Sequence, residues 1–181
     1  MLEFKMNDIQ ELQVPKPDNF QSIRPEHGMT VQDAREFWNQ EFKTAELSHL
    51  KAEYINELKK YSEYPETISD HDLDKYEIKK QDPETVAALK EEFQKVKPEL
   101  KKAWEELNGK PWPKYEKDVY SANGNLIRKA GSDYDAHHKQ PLSLGGKNEV
   151  GNITPLSAEC HYDHQGVHAS GSTLDRIQKA I

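Results

Sequence analysis

The run Asp135-Ala-His-His-Lys-Gln-Pro-Leu-Ser-Leu-Gly-Gly-Lys-Asn148 decides how this 181-residue chain is read. Its adjacent pair, His137 and His138, opens a window of 32 residues that holds five of the eight histidines, with His161, His164 and His168 following. Tyr134 to His138 reads as a strand end, residues 139–151 as a loop containing Gly145-Gly146 and Gly151, and Asn152-Ile-Thr-Pro-Leu156 as a second short strand. Ser157 is a candidate N-cap for a helix carrying His161, His164 and His168. Their i, i+3, i+7 spacing would turn all three imidazoles to one side. Gly166 weakens such a helix by about 1 kcal/mol relative to alanine.

Outward from this window the texture changes. Pro111, Trp112 and Pro113 mark a joint after Gly109, and Asp118 to Arg128 reads as a hairpin with Asn123-Gly124 as its turn. Before the joint, Val31, Ala34, Trp38, Phe42, Ala45, Leu50, Tyr54, Leu58 and Tyr61 recur at helical steps behind the cap residue Thr30. Residues 62–81 are polar and irregular. Asp82-Pro83-Glu84 then opens a helix whose stripe is Val86, Leu89, Phe93, Val96, Leu100, Ala103 and Leu107, with Pro98 expected to split or kink it. The expected organisation is α+β: an extended lead-in at 1–29, an acidic helical region at 30–109, and a strand-containing domain at 110–181.

Charge supports that division. The net charge of −7 lies entirely in residues 1–109, at −8, while residues 110–181 carry +1. Such a balance excludes a protein that coats nucleic acid through phosphate neutralisation alone. The single Cys160 excludes an internal disulfide and a cysteine zinc cage, so any metal must be held by His, Asp or Asn. No apolar run approaches membrane-spanning length. Met-Leu-Glu-Phe-Lys-Met lacks a leader pattern, so the chain is expected to carry no signal peptide of its own.

Adjacent histidines on a strand point to opposite faces, so one can hold a metal while the other meets an incoming water. Strand, loop, strand and helix, with His137-His138-Lys-Gln-Pro-Leu-Ser-Leu-Gly-Gly, Asn152 and His161, resembles the HNH endonucleases. Within them it looks most like the nuclease domains of colicin-type and other polymorphic bacterial toxins. The resemblance covers roughly residues 110–175 and leaves the helical part unassigned. It implies a ββα-metal finger around one divalent ion, with Mg, Mn, Zn and Ni not distinguished.

The same resemblance assigns His137 to metal, His138 to general base and Asn152 to bonding across the loop and orienting that base. It places Asp135 near the scissile phosphate, where an acid can orient an Arg or a His. It expects ligands nine and thirteen residues after Asn152, at His161 and at position 165, where this chain has Gln165. Whether His164, His168 or both complete the site is left open. Arg128, Lys129, Lys139, Lys147 and Arg176 are the candidate phosphate contacts.

The expectation is a metal-dependent endonuclease, the toxic C-terminal part of a secreted effector, acting in the cytoplasm of a target bacterium and countered by a cognate immunity protein. DNA ranks ahead of RNA as substrate. A ribonuclease with the same site and a non-catalytic, metal-stabilised binding module are the alternatives. His27, His49 and His71 read as ordinary surface histidines, and Gly145-Gly146 as loop geometry.

Overall fold

A computed structural model describes residues 30–121, 123–162 and 166–181; the lead-in at 1–29, with His27, and the pair His164 and Gln165 lie outside them. The described chain divides into two units between Glu41 and Phe42. In the first, Thr30 caps helix α1 (Val31–Tyr61) reciprocally: its hydroxyl accepts from the Asp33 amide at 3.1 Å, and Asp33 accepts from the Thr30 amide at 2.9 Å.

The second unit begins within α1, which buries Leu50, Tyr54, Ile55 and Leu58. Phe42 stays exposed, so the expected apolar stripe becomes core only from Leu50. Helix α2 (Pro83–Asn108) opens as its sequence requires, with Asp82 accepting from the Thr85 amide at 2.9 Å, and closes on Gly109 at φ 62°, a left-handed position suited to glycine. Pro98 does not divide it. Phe93 and Trp104 pack into one cluster on either side of the proline, which offsets the missing backbone bond.

Strands β1 (Val119–Tyr120) and β2 (Leu126–Arg128) form the expected antiparallel hairpin, with Gly124 at φ 77° in its turn. Strands β3 (Asp135–His138) and β4 (Ile153–Leu156) pair antiparallel, His137 opposite Thr154 and His138 opposite Ile153. Two short helices follow, α3 (Ala158–Tyr162) and α4 (Thr173–Ala180). The described chain is thus α+β, with helices leading into two small antiparallel sheets.

The β3–β4 pair lies between two cores. Leu156 joins Leu50, Leu58, Leu144, Val167, Leu174 and Ile177 in one, while Ile153 joins Phe93, Trp104 and Trp112 in the other. Burying each such side chain contributes about 1.5–3 kcal/mol. Because side chains alternate along β3, His137 faces α1 and His138 faces α2. The joint at 109–110 lies inside this unit.

Candidate metal centre

His137, His161 and His168 each offer a ligand atom, and these atoms all lie within 4.8 Å of one another. Strand β3 supplies the first and α3 the second. His168 does not sit on a helix with His161, as its spacing suggested: α3 ends at Tyr162. The Val167 amide bonds back to the Cys160 carbonyl at 2.9 Å, and Val167 is buried. That return brings the ring of His168 to 4.9 Å from that of His161.

Two of these imidazoles, His137 and His168, resist protonation. Burial first, then His161, His168 and His138, push His137 well below the ordinary imidazole value. Burial, His161 and Lys90 push His168 down to about 4. Neutral rings are what a metal requires. The Tyr54 hydroxyl lies 2.8 Å from Nε2 of His137, leaving Nδ1 as the nitrogen through which that ring can meet an ion. Buried Nδ1 of His161 has no hydrogen-bond partner, lying 3.6 Å from the Asp135 carboxylate. The donor set fits one divalent ion bound by nitrogen.

Asp135 lies between an arginine and a histidine. Its carboxylate takes both oxygens to Arg128, at 2.6 and 2.8 Å, and faces His161 with one of them. Burial opposes its charge, but His161 and the Arg128 guanidinium hold its carboxyl below the usual range.

His138 stands on the other face, its ring 4.3 Å from Phe93 and its Nε2 2.9 Å from Oδ1 of Asn148. The Asn148 amide nitrogen donates to the Leu89 carbonyl and the Glu92 carboxylate, both at 2.9 Å, so Oδ1 must accept and Nε2 must carry the proton. Nδ1 of His138 is left as the basic nitrogen. Burial lowers the pKa of this ring, and the bond to Asn148 works in the opposite direction.

Asn152, expected to orient the base, spends its amide on the loop. It accepts from the Gln140 amide at 2.8 Å and donates to the Gln140 and Lys147 carbonyls at 3.0 and 2.9 Å. The bonding across the loop is therefore present, while the contact to His138 belongs to Asn148. Gly146 is needed for close approach, since a Cβ there would sit 1.9 Å from the Gln140 carbonyl oxygen.

A cleft of about 500 Å³ opens on these groups, lined by His137, His138, His161 and His168 on one side and by Val86, Lys90, Phe93 and Gln94 of α2 on the other. None of Arg128, Lys129, Lys139 and Lys147 lines it. Arg128 is held by Asp135; Lys139, 4% exposed, is paired at 2.5 Å with Asp72, itself 2% exposed. Lys147 stacks on Tyr76 and faces Glu149, Lys129 is exposed, and Arg176 is paired with Glu53.

Sequence reading missed Tyr54, Asn148 and Lys90. Tyr54 and Lys90 lie on helices whose stripes read as packing, and their partners are set by tertiary structure. Asn148 did carry a signal, as an asparagine closing the glycine loop.

The chain is similar to Toxin YxiD of Bacillus subtilis (strain 168), at 40% identity over 105 residues, which is 57% of this chain and 18% of that toxin. The match thus spans about a fifth of the relative's length. No family model matches the chain. No solved structure matches it.

Proposed function

We propose that this chain is the catalytic part of a bacterial toxin, a metal-dependent endonuclease of the HNH type that hydrolyses phosphodiester bonds of DNA. The observation that carries this reading is one cleft holding three histidines with converging ligand atoms beside a fourth, His138, whose basic nitrogen is defined by Asn148. The likeness to a toxin supports the biological half of the reading.

A divalent ion, when bound by His137, His161 and His168, supplies a positive centre for the charge that grows on the leaving 3′ oxygen. Nδ1 of His138 takes the proton of the attacking water as its oxygen bonds to phosphorus and the bond to the 3′ oxygen breaks. The leaving oxygen takes a proton from solvent water, giving a 3′-hydroxyl and a 5′-phosphate. Asn148 holds the ring of His138 and Tyr54 that of His137, while Asp135, itself fixed by Arg128, faces His161 at 3.6 Å.

A toxin of this kind acts in the cytoplasm of a target cell and calls for a cognate immunity protein in its producer. No described helix is long and apolar enough to cross a membrane. Purified protein incubated with plasmid DNA and, separately, total RNA, in Mg²⁺, Mn²⁺, Zn²⁺ or Ni²⁺ and then chelator, tests the proposal. Metal-dependent DNA cleavage is expected. Cleavage of RNA alone would make the chain a ribonuclease, and a chelator that unfolds an inactive protein would make the histidines a structural centre.

A further inference from the structure

The cations that the finger offers for phosphate are absent from the cleft, which raises the question of what meets the substrate's charge there. The lysine in the cleft lining is Lys90, from α2. Val86, Lys90, Phe93 and Gln94 stand at i, i+4, i+7 and i+8, so a single face of the helix forms this wall. The packing of Phe93 on His138 and the bonds from Asn148 to Leu89 and Glu92 fix that face against the histidines.

Lys90 is exposed and has no ion-pair partner among the described residues, whereas Lys95 and Lys102 on the same helix face Glu91 and Glu106. It lines the same cleft as His168. The helix is otherwise acidic around it, with Glu84, Glu91 and Glu92 nearby in sequence. Of the five lysines on α2, Lys90 is the one that lines the cleft.

We propose that Lys90 is a substrate-binding residue which anchors a backbone phosphate of the nucleic acid opposite His137, His161 and His168. This rests on the nuclease reading. It makes α2 the second wall of the active cleft, and gives part of the acidic helical region a direct task. Affinity comes from one placed charge, and the surrounding carboxylates confine the strand to the register in which the phosphate faces the histidines.

The test measures binding of a labelled DNA duplex and a labelled RNA strand to the full chain, loaded with metal and carrying His138→Ala so that substrate survives. Lys90→Ala is expected to weaken binding of the preferred nucleic acid roughly tenfold and to reduce the slope of log affinity against log salt by about 1. Lys90→Glu should weaken it further, and Lys90→Arg should restore most of it. With His138 intact, Lys90→Ala should raise KM more than it lowers kcat, leaving the melting temperature unchanged. Lys102→Ala, outside the cleft, is the control. Binding by Lys90→Ala within about twofold of the parent with an unchanged salt slope would overturn the assignment. If the parent cleaves while Lys90→Ala is indistinguishable from it, Lys90 alone is wrong. If the parent neither binds nor cleaves DNA or RNA with any of the four metals, the nuclease reading falls and Lys90 with it.

Discussion

Nε2 of His138 lies 2.9 Å from Oδ1 of Asn148, and the amide nitrogen of that asparagine is committed to Leu89 and Glu92 on α2. Helix α2 therefore sets the tautomer of the residue proposed as base. Asn148→Ala should cut the cleavage rate about 10–100-fold, the usual cost of losing a partner that orients a site histidine. It should also move the acid limb of the pH–rate profile downward, since the bond to Asn148 is what raises the His138 pKa against burial. Asn148→Asp should move that limb upward. Profiles of kcat/KM against pH for the three proteins check both directions, and an unmoved limb would count against His138 as base.

Metal binding and catalysis should separate between neighbours on one strand. His161→Ala and His168→Ala each remove a donor from the cluster, and should lose more than the roughly 10–100-fold in metal affinity that a partner behind a ligand costs. His138→Ala should keep metal affinity and lose cleavage. Calorimetric titration with Mn²⁺ and Zn²⁺ measures the first; gel cleavage assays measure the second.

Stability without metal should depend on pH in a set direction. His137 and His168 have folded-state values below the ordinary imidazole value, that of His168 at about 4. Below pH 6.5 or so the unfolded chain takes up protons that the folded rings refuse, so unfolding is favoured. The stability is complete above that pH and is lost as pH falls toward about 4. Urea midpoints of the chelator-treated protein across this window should fall steadily, and a rise would contradict the neutral-histidine cluster.

The pair of Lys139 and Asp72 holds the start of the glycine loop to the segment between α1 and α2. Asp72→Ala leaves a buried ammonium without its counter-charge, and should cost about 3–5 kcal/mol. Lys179→Ala, which removes an exposed pair with Asp175, should cost less than about 1 kcal/mol. Denaturant unfolding of both variants checks the contrast.

Much of the β3–β4 region was legible because its signals are local. Alternation and glycine placed β3, β4 and their loop, and the Asp82-Pro83 start placed α2. His168 was assigned to a helix because i+7 spacing is indifferent to whether the helix continues; the Val167 bond back to Cys160 accompanies the same convergence by another route. Helix α4 was missed although Ser172, Asp175 and the Leu174, Ile177, Ile181 steps carry its cap and its apolar face. Tyr54 and Leu89, which reach His137 and Asn148 across 83 and 59 residues of sequence, were not legible: helical periodicity reports which face is buried, not what it meets.

The most direct measurement of the central claim is cleavage of plasmid DNA by the purified chain and by His138→Ala, each with and without Mn²⁺, with bound metal determined in the same samples. The proposed chemistry requires metal-dependent nicking by the parent and none by a His138→Ala protein that still holds its ion. Equal cleavage by both proteins, or cleavage by the parent that survives complete removal of metal, would contradict it.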